Sequence, residues 1–176
     1  MKKIFFDIET DGLLDTMTQV HCIAVAINDG DVHSFGPDDL EAGVVELCQA
    51  DLLISHNLIG FDLPALKKFP TTSIIGELAA TGAGGHVYDT LLVSRLLYPD
   101  LREDDYRKIH LKGRGNFPKD CYGRHSLKAW GARLGMAKGM FLKSHGFVKY
   151  TEDMADYCRR DVEVLRMLYQ SLEAGR

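Results

Sequence analysis

Four acids in three separated segments hold the chemistry this sequence can do. Asp7 and Glu9 lie in Lys-Ile-Phe-Phe-Asp-Ile-Glu-Thr at 3–10, Asp62 closes His56-Asn57-Leu-Ile-Gly-Phe-Asp62, and Asp161 closes Tyr157-Cys-Arg-Arg-Asp161. Carboxylates that converge with no base among them repel one another unless cations sit between them. The chemistry such a set serves is phosphodiester hydrolysis. Two divalent ions about 3.5–4 Å apart activate a water, neutralise the phosphoryl oxygens and help the leaving alkoxide. Oxygen-only ligands favour Mg2+ or Mn2+ over zinc. On this reading Asp7 bridges the two ions, Glu9 and Asp161 hold the one that activates the water, and Asp62 belongs to the other. Tyr157, a phenol with a pKa of about 10, is a poor base and serves better to orient the attacking water.

Each residue has a plainer reading when taken alone. Asp7 and Glu9 can be solvated acids at a strand end, and Asp62 a helix-start residue before Leu63-Pro64-Ala65. Asp161 can pair with Arg159 or Arg160 on an exposed helix face, and Tyr157 can pack on a core. Order and spacing together favour the metal site. Asn57 is a candidate contact for a substrate phosphate or sugar, with His56 left open. Leu13 is either a wedge between terminal bases or an ordinary core leucine, while His125 and Trp130 belong to a helix that packs.

The elements that must position these groups read as an α/β domain with a mixed sheet. Residues 3–8 and 21–27 form apolar strands, Asn28-Asp29-Gly30-Asp31 is a hairpin turn, and 32–35 is the returning strand, an antiparallel meander at one side of the sheet. A helix over 40–50 can be capped by Asp38 or Asp39, and 52–55 is a further strand. A helix spans 63–69 with Pro64 in its first turn. The glycine-rich 71–85 is irregular. Asp89 caps a helix through Leu97, and 100–123 is a long functional loop. Ser126 opens a helix that Gly135 closes, and a last helix runs from about Thr151 to Leu172. On a strand Asp7 and Glu9 point to one face, and on a helix Tyr157 and Asp161 share one.

The 176 residues are expected to form one domain, 45% hydrophobic and 26% charged, with no apolar run long enough for a membrane span. Cys22, Cys48, Cys121 and Cys158 have no CxxC spacing, which argues against a zinc knuckle and for reduced thiols in the cytoplasm. The net charge of −4 hides an asymmetry: residues 107–149 carry 11 Lys and Arg against the single acid Asp120. A basic segment in an acidic protein suits a phosphate-backbone binder with a carboxylate site, or else a merely solvated loop.

Asp7-Ile-Glu9-Thr10, Asn57 with Asp62, and Tyr157-x-x-x-Asp161 resemble the three exonuclease motifs of the DEDD superfamily, which has a ribonuclease-H-like fold. The tyrosine marks the tyrosine subclass, since the position where the histidine subclass carries His is Asp156. Tyr88-Asp-Thr-Leu-Leu-Val-Ser-Arg-Leu-Leu and His125-Ser-Leu-Lys-Ala-Trp-Gly-Ala-Arg-Leu-Gly are similar to segments of the 3′–5′ proofreading domain of podovirus-type family A phage DNA polymerases. The resemblance implies a single 3′–5′ exonuclease domain over 1–176. It would release 5′-monophosphates from single-stranded or frayed DNA 3′ ends with two divalent ions, in a bacterial or phage-infected cell. It also implies that Thr10 and Leu13 contact the terminal nucleotide. The polymerase segment of those proteins does not follow Arg176, so a free-standing enzyme, a subunit partnering a separate polymerase and a shortened piece all remain readings. The alternatives are an exoribonuclease on short RNA and a catalytically silent DNA-binding or polymerase-docking module.

Overall fold

The computed structural model describes residues 1–68, 86–111 (backbone only for 109–111), 117–136 and 148–175. The 71–85 tract, Phe69, Lys112, Arg114 and the 137–147 part of the basic segment lie outside the described residues. Five strands, β1 (Lys3–Thr10), β2 (Val20–Ile27), β3 (Val32–Phe35), β4 (Leu52–Ser55) and β5 (His86–Asp89), form one sheet in the order β3-β2-β1-β4-β5. The first three are antiparallel neighbours, whereas β4 runs parallel to both β1 and β5. The expected meander at one side of a mixed sheet is present. Asn28 turns the hairpin in the left-handed region (φ 50), which Asn tolerates, and its Oδ1 accepts from Lys3 N at 3.0 Å.

Helices cover both faces: α1 (Leu40–Leu47), α2 (Leu63–Lys67), α3 (Thr90–Leu97), α4 (Leu101–Leu111), α5 (Leu127–Leu134) and α6 (Glu152–Ala174). β1 and β2 are buried on both faces, hence their nearly unbroken apolar runs. Ile4, Phe6 and Ile8 of β1 join Ile23 and Val25 in a core closed by Val44 and Leu47 of α1 and Leu66 of α2. Phe5, Cys22, Ala24, Ala26 and Ile54 face the other way, onto Cys158, Val162, Leu165, Leu168 and Leu172 of α6. The small side chains on β2 leave room for α6 to approach the sheet closely. Among the described residues no helix is long and apolar enough to cross a membrane.

The helix ends follow local chemistry. The hydroxyls of Ser126 and Thr151 accept from Ala129 N and Met154 N, Asp89 accepts from Leu91 N and Leu92 N, and Gly135 closes α5 at φ 79. Three expectations need correction. The helix over 40–50 stops at Leu47, and Asp39 holds its N-cap position with no side-chain bond to it. The strand β5 was not anticipated, because its exposed, exposed, half-buried and buried residues carry no apolar pattern. The 100–123 stretch is not one long loop, since α4 occupies its first half and a short 3-10 turn, Lys119–Cys121, sits in its second. Among the described side chains of α4 the buried ones are Leu101 and Asp105, and Asp105 is held by Arg133. A tertiary ion pair does what apolar periodicity does elsewhere, and periodicity is all a sequence displays.

The close approach of α6 can be tested by overpacking. Ala24→Leu should lower stability by about 1–3 kcal/mol, read from the urea midpoint, whereas Ala42→Leu on the exposed face of α1 should leave it within about 0.5 kcal/mol.

Candidate metal centre

Asp7 and Glu9 alternate with Ile8 on β1, so both turn away from the α1 core and toward α6. The register places Asp7 opposite Ala24 and Glu9 opposite Cys22, the small residues under that helix. Ligand atoms of Asp7, Glu9 and Cys158 all lie within 4.8 Å of one another, the only such group among the described residues. Cys158 Sγ donates to Asp7 O at 3.4 Å and approaches Asp7 Oδ2 at 3.9 Å. Burial pushes the Cys158 thiol well above its ordinary range, with Cys22, Asp7 and Glu9 adding to the effect.

Asp161 does not sit on an exposed face. It is 6% exposed, and it falls at a core position of the α6 stripe between Cys158 and Leu165. Its neighbour Arg159 instead bonds Asp156 and Ser34. Tyr157 is half-buried one turn earlier. An ionised carboxylate in an apolar stripe is costly unless something opposite in charge or strongly hydrogen-bonding meets it.

Asp62 enters from a different element. A five-residue π turn, Leu58–Asp62, links β4 to α2, a geometry often found at functional sites. Asp62 is the helix-start residue by position, at the N-cap of α2, but its side chain makes no cap bond to that helix. Its carboxylate is 2% exposed, and Oδ2 accepts from Ser55 Oγ at 3.1 Å. Burial raises its pKa to about 7, against the lowering effect of Ser55 and with added repulsion from Asp89. The carboxylates of Asp62 and Asp161 lie outside the Asp7–Glu9–Cys158 cluster. The donor set these four acids offer is carboxylate oxygen, which fits hard divalent cations.

The turn itself is held by a residue the sequence reading gave only a local role. Asp89 Oδ1 accepts from Asn57 N (3.1 Å), Leu91 N (2.9 Å) and Leu92 N (3.3 Å), and Oδ2 accepts from Ile59 N (3.1 Å). It therefore caps α3 and also fixes the entry to the π turn, where Asn57 takes a left-handed conformation at φ 70. His56 Nδ1 meets Thr90 Oγ1 at 2.9 Å, and Thr90 in turn donates to Ser55 O at 3.2 Å, so His56 is the donor of that pair. Neither Ser55 nor the second role of Asp89 was legible, because both depend on contacts between distant segments. Thr10 is buried with its hydroxyl turned to Gly12 O at 2.7 Å, and Leu13 is no core leucine, being 76% exposed. His125 bonds Ser94 Oγ at 3.0 Å and Trp130 is buried, the packing roles expected of both.

A mixed sheet with carboxylates on its central strand and last helix is the RNase H arrangement, and residues 4–83 match the RNase H superfamily model. That match takes in Asp7, Glu9 and Asp62. Nearly all of the chain is similar to one part of two phage enzymes. It is 32% identical over 186 residues to the DNA-directed DNA polymerase of Enterobacteria phage T3, covering 94% of this chain and 26% of that protein. It is 30% identical over 189 residues to the polymerase of Escherichia phage T7, covering 96% and 26%. The chain thus spans about a quarter of the length of these relatives. A solved structure described as the apo form of the nuclease shares the fold, with a TM-score of 0.59 at 19% identity over 98% of this chain and 72% of that one.

Two expected outcomes follow from the Asp62–Asp89 geometry. Between pH about 4 and about 7 the folded protein keeps on Asp62 a proton that the unfolded chain has lost, so stability falls as pH rises through that window. In chelator, Asp62→Asn should match the wild type near pH 4. At pH 8 it should melt at least about 3 °C higher, the shift that roughly 1 kcal/mol produces in a chain of this size. A pH-independent difference in melting temperature would refute the buried-charge account. Asp89→Ala leaves four backbone donors without their acceptor and should cost about 2–4 kcal/mol in chemical denaturation.

Proposed function

We propose that this chain is a metal-dependent 3′–5′ exodeoxyribonuclease that releases 5′-mononucleotides from single-stranded or frayed DNA 3′ ends. The observation that carries the reading is the convergence of Asp7 and Glu9 on the α6 face of the central strand, with Asp161 buried on α6 itself. Similarity over nearly the whole chain to a quarter of two phage DNA polymerases supports DNA as the substrate and a polymerase, fused or separate, as the partner. It also supports the cytoplasm of a bacterial or phage-infected cell as the setting.

RNase H-like nucleases use divalent ions, and here Asp7, Glu9, Asp62 and Asp161 would hold two, Mg2+ or Mn2+. Such ions, when bound, offset the charge of the phosphoryl oxygens and make water a stronger nucleophile. The chain's own contribution is placement. β1 and α6 present their acids from opposite sides, and the Ser55–Asp62 bond aims the fourth acid from the π turn. Tyr157 orients the attacking water through its phenol, one turn from Asp161. Asn57 contacts the phosphate or sugar, and Thr10 and the exposed Leu13 shape the pocket for the last base, with Leu13 wedged between the terminal pair.

The test is cleavage of a 5′-labelled single-stranded DNA oligonucleotide and its RNA twin in Mg2+, Mn2+ or chelator. A ladder shortening from the 3′ end, absent in chelator and confined to DNA, is the expected result. Preferential cutting of RNA would make the protein a ribonuclease, and binding without cutting a docking module. Asp7→Ala should reduce cleavage by more than about 100-fold, beyond what losing an outer partner of a metal site costs. Tyr157→Phe should slow turnover at an unchanged metal-titration midpoint.

A further inference from the structure

Between α4 and the 3-10 turn lies an open cavity of about 710 Å³ lined by Arg102, Glu103, Tyr106, Arg107, Lys119 and Tyr122. None of these residues belongs to the acid centre. We propose that this cavity is a second nucleic-acid site, which takes a base and its flanking phosphates from a single-stranded segment of the DNA whose 3′ end is being cut. This deepens the exonuclease reading and rests on it for the identity of the strand.

The lining has the chemistry of that ligand. Two tyrosine rings offer faces on which bases stack whatever their identity, and three cations accompany them for the phosphates. Tyr106 lines the cavity and is 60% exposed. Glu103 lies within 3.3 Å of Arg107 and can accept from a base amino group. An acidic peptide would find the cations useful but would be repelled by Glu103 and gain little from the rings.

The walls are also held in place. Arg133 Nε and Nη2 donate to Asp105 Oδ1 and Oδ2 at 2.9 and 2.7 Å, a buried fork that fastens α4. The same guanidinium donates to Cys121 O at 3.1 Å and Arg124 O at 2.8 Å, while Gly123 N donates to Asp105 Oδ2 at 2.9 Å. Gly123 has φ +62, and a Cβ there would stand 2.8 Å from Arg102 Cβ, so only glycine lets the turn come this close to α4. Arg133 stacks on Phe117, whose ring meets Tyr122 edge-on at 5.5 Å. A buried ion pair adds little net stability over an apolar pair of its size. What this one does is set the spacing between the walls that carry Tyr106 and Tyr122.

The experiment measures binding in chelator, where nothing is cut, by fluorescence anisotropy of labelled oligo(dA) of about twenty nucleotides at several salt concentrations. Tyr106→Ala should weaken binding about 5-fold or more, the loss expected for one stacked base. Arg102→Gln with Lys119→Gln, both at exposed positions, should flatten the log–log salt slope by about 1.4. Hydrolysis of a tetranucleotide in Mg2+ should be unchanged in both variants, while KM for the long strand rises. Wild-type affinity and slope in both variants would overturn the proposal, as would equal competition by polyglutamate. If the wild type cuts nothing yet the variants lose length-dependent binding, the exonuclease reading fails and the site stands. If cutting proceeds with KM for the long strand unmoved, the site fails alone.

Discussion

Helix α6 reaches the sheet because Cys22, Ala24 and Ala26 leave no bulk on that side of β2, and everything else in the centre depends on that contact. With the helix seated there, Cys158 Sγ reaches the backbone oxygen of Asp7, 151 positions away, and Asp161 is buried one turn further along α6. The same contact removes water. Carboxylates that would be screened on a surface are gathered where their repulsion is strong, and a divalent cation is the natural counterweight. Apolar packing on α6 thus has two effects at once, stabilising the fold and raising the energy of the charges it encloses.

The π turn buries a further acid, Asp62, between β4 and α2. Asn57 in a left-handed conformation and a five-residue π segment are both departures from the cheapest backbone. They persist because Asp89 accepts hydrogen bonds from both sides of the strand–helix junction and from the turn. Asp89 also repels Asp62 and helps keep its pKa near 7. One residue therefore supports the geometry of its neighbour and raises the cost of its charge, an arrangement that suits a site built for cations.

Away from the acids the charge changes sign. Arg102, Arg107 and Lys119 line a cavity whose walls are fastened by Asp105 and Arg133. Burial pushes the Asp105 carboxyl up, but the bonds from Arg133 and Gly123 outweigh it and hold the group below its ordinary range. The pair therefore stays ionised, which is what lets so polar a helix as α4 remain docked. A chain that is acidic overall can in this way keep a positive surface for a polyanion apart from the negative centre that would cut it.

Much of the fold was legible from end to end of the chain. Local signals do not need a partner: apolar runs for β1, β2 and β4, the Asn-Asp-Gly turn, the caps at Asp89, Ser126 and Thr151, and Gly135 each act within a few residues. The period of two that puts Asp7 and Glu9 on one face belongs to the same class. What the sequence could not reveal lies in groups that become neighbours only after folding. α4 is held by an ion pair to α5, β5 by pairing to β4, the π turn by Asp89, and Cys158 lies among the acids because α6 crosses β1. Residue type and spacing by themselves determined which groups can do chemistry. The three-dimensional packing decided which of them meet, how dry their surroundings are and what each costs to ionise, because burial and distance are properties of the assembled core and not of the chain.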